Sequence, residues 1–259
     1  MSTIKGHKLQ KMLSQWPGHA VLTSEYLHAQ GINADLIIRY IKSGWLKRIG
    51  TGAYLRLDDK PSLLWAIYSV QNFTKTPIHI GGKTALEMQG KGHFGRAEYY
   101  EYDLFTCCKS TLPSWFKKAK IDLHPNIIVA NFLPDKLYLT KKVIDSVEIT
   151  LSSPERAALE LLYASPKRYM YDEIKLIFEN LSRSRASVFQ ELLEASKSVK
   201  VNRLCLFLGK ALEHPWYEKI DHSKINLGSG VRSFEKSGVY DKTYNIFYPI
   251  AWKEEDYVI

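Results

Sequence analysis

Apolar positions in the first sixty residues fall into short runs, most of them closed by a glycine. Leu9, Met12 and Leu13 recur at helical spacing within residues 6–15, and Pro17-Gly18 ends that run. Ala20 to Leu22 is a brief β-prone stretch. Thr23 suits the N-cap of a helix over 24–30 that turns Tyr26 and Leu27 inward, and Gly31 closes it. Asn33 caps the next helix, which sets Ile37, Tyr40 and Ile41 on one face and Asp35, Arg39, Lys42 and Ser43 on the other. Gly44 supplies its left-handed end. Two β-prone runs, Trp45–Ile49 and Ala53–Leu57, then flank Gly50-Thr51-Gly52, a hairpin signal. Helix, short helix, turn, helix and two-stranded wing spell a winged helix-turn-helix with its core motif at 6–57.

Beyond Asp58-Asp59-Lys60-Pro61, a polar break, Ser62 caps an apolar helix through Phe73. Ile78–Ile80 predicts a strand, and Gly81-Gly82 introduces a helix through Met88. The domain boundary is placed near Gly92. Four strands are expected in the middle region, at Tyr99–Cys108, Ile127–Asn131, Lys136–Leu139 and Val147–Leu151, with a helical turn at Leu112–Ala119. A helical block follows: Pro154–Tyr163, Asp172–Leu181, Val188–Ala195 and Asn202–Leu212. Strands return at Gly238-Val239 and Thr243–Tyr248. The expected class is α+β, with a winged helix-turn-helix domain over 1–92 and a mixed α/β domain with a helical block over 93–259.

Charge sharpens this picture. The 259 residues carry a formal net charge of +9, and nine lysines and arginines face four acids through Lys60. Such a basic balance suits a polyanionic partner, nucleic acid ahead of an acidic membrane. Cys107, Cys108 and Cys205 make neither a disulfide framework nor a zinc spacing, so buried reduced thiols and a cytoplasmic location are expected. No run approaches the length of a membrane span, and the N-terminus lacks a signal peptide's apolar stretch.

The outward face of the helix at 33–43 is the candidate DNA-reading surface. Asn33, Asp35 and Arg39 would come closest to base edges. Lys42, Ser43, Lys47, Arg48 and Arg56 suit the backbone, and Thr51 stands at the wing tip. Asp35 works against phosphates. The same charges could instead be a solvated face of a protein-binding module. Gly81-Gly82-Lys83-Thr84 looks like the end of a phosphate-binding loop, but Pro77 stands where that pattern needs its first glycine. Asp145 and Glu148 invite comparison with metal-dependent nucleases, yet Thr150 occupies the place of their lysine. No histidine pair has metal-ligand spacing, and Ser152-Ser153 lacks a nucleophile elbow's glycines. No catalytic residue, cofactor or metal is expected.

Four stretches resemble one family, the AbiEi-type antitoxins. They are Gly44-Trp45-Leu46-Lys47-Arg48-Ile49-Gly50-Thr51-Gly52-Ala53-Tyr54, Ile80-Gly81-Gly82-Lys83-Thr84-Ala85-Leu86, Ser152-Ser153-Pro154-Glu155-Arg156-Ala157 and Gly238-Val239-Tyr240-Asp241. The resemblance implies a DNA-binding N-terminal domain and a C-terminal domain needed for antitoxin action. It implies repression of the protein's own operon through inverted repeats in double-stranded DNA. It also implies opposition to a co-encoded nucleotidyltransferase-like toxin in a type IV system, where a stable complex is not required. Some relatives with a similar N-terminal domain carry nuclease-like C-terminal domains, so a nuclease or nucleotide-processing enzyme delivered to DNA is the alternative.

Overall fold

The computed structural model describes residues 3–60, 62–74, 76–92, 101–108, 112–118, 124–235 and 237–253. By packing, the chain forms two units. One comprises Met1–Ile78, Cys108–Pro125 and Lys142–Ile149, the other His79–Cys107, Asn126–Lys141 and Thr150–Ile259. Gly92, where the sequence places a boundary, lies inside the second unit's first segment.

The first unit opens with α1 (Thr3–Ser14), β1 (Leu22–Thr23), α2 (Ser24–Ala29), α3 (Ala34–Lys42), β2 (Leu46–Gly50) and β3 (Ala53–Arg56). The strands form an antiparallel sheet in the order β1-β3-β2, with Leu22 opposite Tyr54 and Lys47 opposite Leu55. Its core joins Met12, Trp16, Leu22, Leu27, Ile32, Ile37, Tyr40 and Leu46. The helical periodicities at α1, α2 and α3 therefore converge on one apolar centre. α4 (Leu63–Phe73), capped by Ser62, packs on β1, and its Ser69 hydroxyl accepts from the Val21 amide at 2.8 Å. The two hairpin glycines have different causes. Gly52 sits at φ +65°, whereas a Cβ on Gly50 would lie 2.6 Å from the Cβ of Trp115, on α6 (Ser114–Lys118).

The larger sheet has the order β6-β5-β4-β8-β7, built from β4 (Ile78–Ile80), β5 (Glu101–Thr106), β6 (His124–Val129), β7 (Leu139–Ile144) and β8 (Val147–Ser152). β4 and β8 are parallel, with Ile80 opposite Leu151. A strand expected at Lys136–Leu139 is a turn instead, and the strand begins at Leu139. Pro134 starts that turn, its carbonyl accepting from the Leu137 amide at 3.3 Å, and Tyr138 takes φ 55°. Neither conformation fits a β-ladder. Tyr99 and Tyr100, expected to begin β5, lie outside the described residues.

In the second unit, α5 (Gly82–Met88) packs on α7 (Pro154–Ala164), as does α10 (Val199–Ala211). Burial of every residue from Glu155 to Leu162 makes α7 the axis of this unit. α8 (Tyr171–Glu179) and α9 (Ala186–Ala195) add Ile174, Ile177, Phe178, Phe189 and Leu192 to the interior. A small sheet, β10-β11-β9, follows the helices, from β9 (Arg232–Ser233), β10 (Val239–Asp241) and β11 (Ile246–Tyr248). Cys205 is buried and its thiol is pushed up by that burial, while Cys107 and Cys108 are only half-buried. No helix among the described residues is long and apolar enough to cross a membrane.

Candidate nucleic-acid interface

Two consecutive helix ends present α3. α2 finishes at Gly31, φ +77°, where the Ile32 amide returns to the Leu27 carbonyl at 3.0 Å and the Gly31 amide to that of His28 at 2.9 Å. α3 finishes the same way at Gly44, φ +75°, with Trp45 donating to Tyr40 at 2.9 Å and Gly44 to Ile41 at 3.1 Å. Both are Schellman ends, which require a left-handed residue just past the helix. At the other end, Asn33 Oδ1 accepts from the Leu36 amide at 3.0 Å, a cap contributing about 1 kcal/mol.

Ile37 and Tyr40 anchor α3 in the core, leaving Asn33, Asp35, Ile38, Arg39, Lys42 and Ser43 exposed. Their chemical availability differs. The Asn33 oxygen is already engaged as the cap, and Ser43 Oγ donates to the Arg39 carbonyl at 2.8 Å. Arg39 makes one long contact, 3.4 Å from Nε to the Asp35 carbonyl, and the Lys42 ammonium has no polar partner among the described residues. Arg39 and Lys42 thus offer nearly free positive charge. Buried Tyr40 is its neighbour: desolvation raises the phenol's pKa, with Arg39 opposing, and its hydroxyl has no partner among the described residues.

The hairpin cations divide. Arg48 is exposed, with Nε 3.0 Å from the Gly50 carbonyl, and Thr51 stands exposed at the tip. Lys47 instead donates to the carbonyls of Leu57, at 2.7 Å, and Asp59. Arg56 pairs with Asp59 at 2.9 Å and donates to the Gly18 carbonyl at 2.5 Å. Asp59 also faces His19 Nδ1 at 3.0 Å and is itself buried. What the sequence presents as a polar break is therefore a tie holding the hairpin base to the loop before β1. The i,i+3 spacing of Arg56 and Asp59 was the available signal. Ile38, 50% exposed on α3, was also missed, because helical periodicity groups isoleucine with the core.

The Gly81-Gly82-Lys83-Thr84 turn has an internal answer. The Gly82 amide donates to Glu160 Oε2 at 3.2 Å, and a Cβ on Gly81 would lie 2.2 Å from that oxygen. A protein carboxylate holds the place that phosphate takes in nucleotide-binding loops. Glu160 is 1% exposed and also meets His79 at 2.8 Å, Arg156 at 2.8 Å and Ser152 at 2.7 Å. Burial works against its charge, but His79, Arg156 and Ser152 outweigh it and hold the carboxyl below its ordinary range. Nearby, Asp103 takes hydrogen bonds from Tyr169 at 2.5 Å and Asn126 at 2.8 Å, and Arg168 reaches it at 3.4 Å. Burial raises the Tyr169 phenol's pKa, reinforced by Asp103. Lys83 pairs with Glu173. These groups neutralise one another inside the fold. Asp145 lies in the β7–β8 turn at φ 47°, and Glu148 is exposed on β8. Among the described residues, no group of three histidines, cysteines or acids could hold a metal ion.

Comparison with known proteins covers nearly the whole chain. Residues 5–96 match the profile of the transcriptional regulator, AbiEi antitoxin N-terminal domain. Residues 101–249 match that of the transcriptional regulator, AbiEi antitoxin, type IV toxin–antitoxin system. No curated protein matches the sequence significantly. Among solved structures, the crystal structure of the RV2827C protein from Mycobacterium tuberculosis has a similar fold, with a TM-score of 0.56 at 13% identity over 95% of this chain and 91% of that one. With both parts of the family profile matched in order, the chain belongs to the AbiEi antitoxins, transcriptional regulators of type IV toxin–antitoxin systems.

Proposed function

We propose that the first unit is a winged helix-turn-helix in which α3 enters the major groove of double-stranded DNA and the β2–β3 hairpin serves as the wing. The observation that carries this is α3 itself, buried on Ile37 and Tyr40 and exposing Arg39 and Lys42 with little to bind. An arginine on such a helix suits guanine edges, and a lysine suits phosphate. Arg48 extends the basic surface along the hairpin, with Thr51 at its tip.

On this reading the protein represses its own operon in the cytoplasm by binding inverted repeats. It also acts as antitoxin to a co-encoded nucleotidyltransferase-like toxin without needing a stable complex. It performs no catalysis. Support for the last point comes from the internal pairing of Glu160 and Asp103 and from Thr150 standing where a nuclease lysine would be.

The test is fluorescence anisotropy of the full chain with the duplex upstream of its own gene and with a shuffled duplex. Arg39→Ala is expected to narrow the difference between the two, and Lys42→Ala to weaken both alike. Unchanged discrimination by Arg39→Ala would remove α3 from the groove.

A further inference from the structure

The C-terminal region holds a buried cation with no acid to balance it. Arg203, on α10, is 3% exposed, and no carboxylate among the described residues pairs with it. Its guanidinium donates to four backbone carbonyls: Leu227 at 2.6 Å, Gly230 at 2.7 Å, Asn245 at 3.0 Å and Gly228 at 3.1 Å. Three of these belong to one exposed loop, Leu227-Gly228-Ser229-Gly230.

That geometry determines where the loop's amides face. A trans peptide sets its C=O and N–H on opposite sides. The Gly228 and Gly230 carbonyls turn inward to Arg203, so the N–H groups of Ser229 and Val231 turn outward. Among the described residues, neither amide, nor that of Gly230, has a partner. Both residues are exposed. Each outward N–H lies on a peptide dipole whose oxygen is pinned to a buried positive charge, which strengthens it as a donor. Gly228 (φ +56°) and Gly230 (φ +74°) take positive φ on either side of Ser229, and turns of that kind bring successive amides round an anion. Gly228 is doubly required, since a Cβ there would lie 2.9 Å from Val199 Cγ2. Asn226 Oδ1 braces the entry, accepting from the Gly228 amide at 3.0 Å. Beside the cradle stands Arg232, whose exposed guanidinium donates to the Val231 carbonyl at 3.2 Å.

We propose that the Gly228–Arg232 loop is a phosphate-binding site, in which the Ser229, Gly230 and Val231 amides and the Arg232 guanidinium grip the phosphate oxygens over the buried charge of Arg203. Amides in a cradle fix a tetrahedral oxyanion, and an arginine fork adds charge-assisted bonds. The phosphate would come from a free nucleotide or from a nucleic-acid backbone. This site lies in the second unit and is independent of α3.

The test is an amide NMR titration of the isotopically labelled full chain with inorganic phosphate, chloride being adjusted to hold ionic strength constant. Ser229, Gly230 and Val231 are expected to shift together and saturate. Arg232→Glu should weaken that binding about tenfold or more, the loss of a charge-assisted hydrogen bond, while the rest of the spectrum stays in place. Repeating the titration with adenosine monophosphate and with a short oligothymidylate identifies the source: tighter binding of the first points to free nucleotide, of the second to backbone. Arg203→Lys, which keeps charge but loses the fork, should leave a folded chain whose three amides respond more weakly. Absence of a saturable shift at residues 229–231, or the same affinity in Arg232→Glu, would overturn the proposal.

Discussion

Single residues separate cations that hold the fold from those free to hold a ligand. Arg56 and Arg48 are both basic hairpin residues, yet only Arg56 is tied to Asp59 and Gly18. Arg56→Ala is expected to lower stability by about 1 kcal/mol, with the side chain's partial exposure keeping the loss small. Its DNA affinity should hold. Arg48→Ala should do the reverse; thermal unfolding and duplex binding measured on both variants check this contrast. Glu160 carries larger stakes. Glu160→Gln leaves Arg156 and His79 facing a neutral group in the interior and should cost about 3 kcal/mol in urea unfolding. The carboxyls of Glu155 and Glu160 are both held below their ordinary value, 4.5, because burial is outweighed by hydrogen bonds from Arg185 at Glu155 and by His79, Arg156 and Ser152 at Glu160. Stability from these groups is therefore fully present above about pH 4.5 and lost as pH falls through their lowered values in the fold. Urea midpoints measured from pH 6 down to pH 3 should drop for the native chain, and less steeply for Glu160→Gln.

At the scale of elements, local chemistry was legible and distant pairing was not. Thr23, Asn33 and Ser62 each accept from an amide in the first turn of the helix that follows, as their side chains and positions suggest. Gly31 and Gly44 end α2 and α3 because left-handed backbone is needed there. Gly44→Ala should therefore cost about 1 kcal/mol by thermal unfolding, from strain alone, since a Cβ would meet only Leu57 at an ordinary 3.8 Å. Gly50 gave no such clue, because its reason is Trp115, sixty-five residues further along. Likewise nothing near Gly81 announces that Glu160 will sit against it. Lys136–Leu139 is β-prone in composition but departs from a strand for a local cause, the turn that Pro134 begins. The outward face of α3 was foreseen residue by residue, except that Ile38 joins it.

For the whole molecule, the charge balance pointed to a polyanion, and the fold shows which part of that charge is available. Much of it is consumed internally: Arg156 on Glu160, Arg185 on Glu155, Lys83 on Glu173, Arg203 on carbonyls. Among the described residues near α3 and the hairpin, Arg39, Lys42 and Arg48 keep their charge largely unengaged. Such a small set predicts a modest number of phosphate contacts per subunit, with a log–log salt slope of about −2 to −4 for one chain on one half-site. The family places this chain among transcriptional regulators, and on the proposal above α3 does the reading. The most direct measurement is duplex affinity for the upstream region against a shuffled control, across a salt series, for the native chain and Arg39→Ala. Preference for the upstream duplex that collapses in Arg39→Ala, on a slope of that size, is the expected result. Equal binding of both duplexes by the native chain, or full preference retained without Arg39, would contradict it.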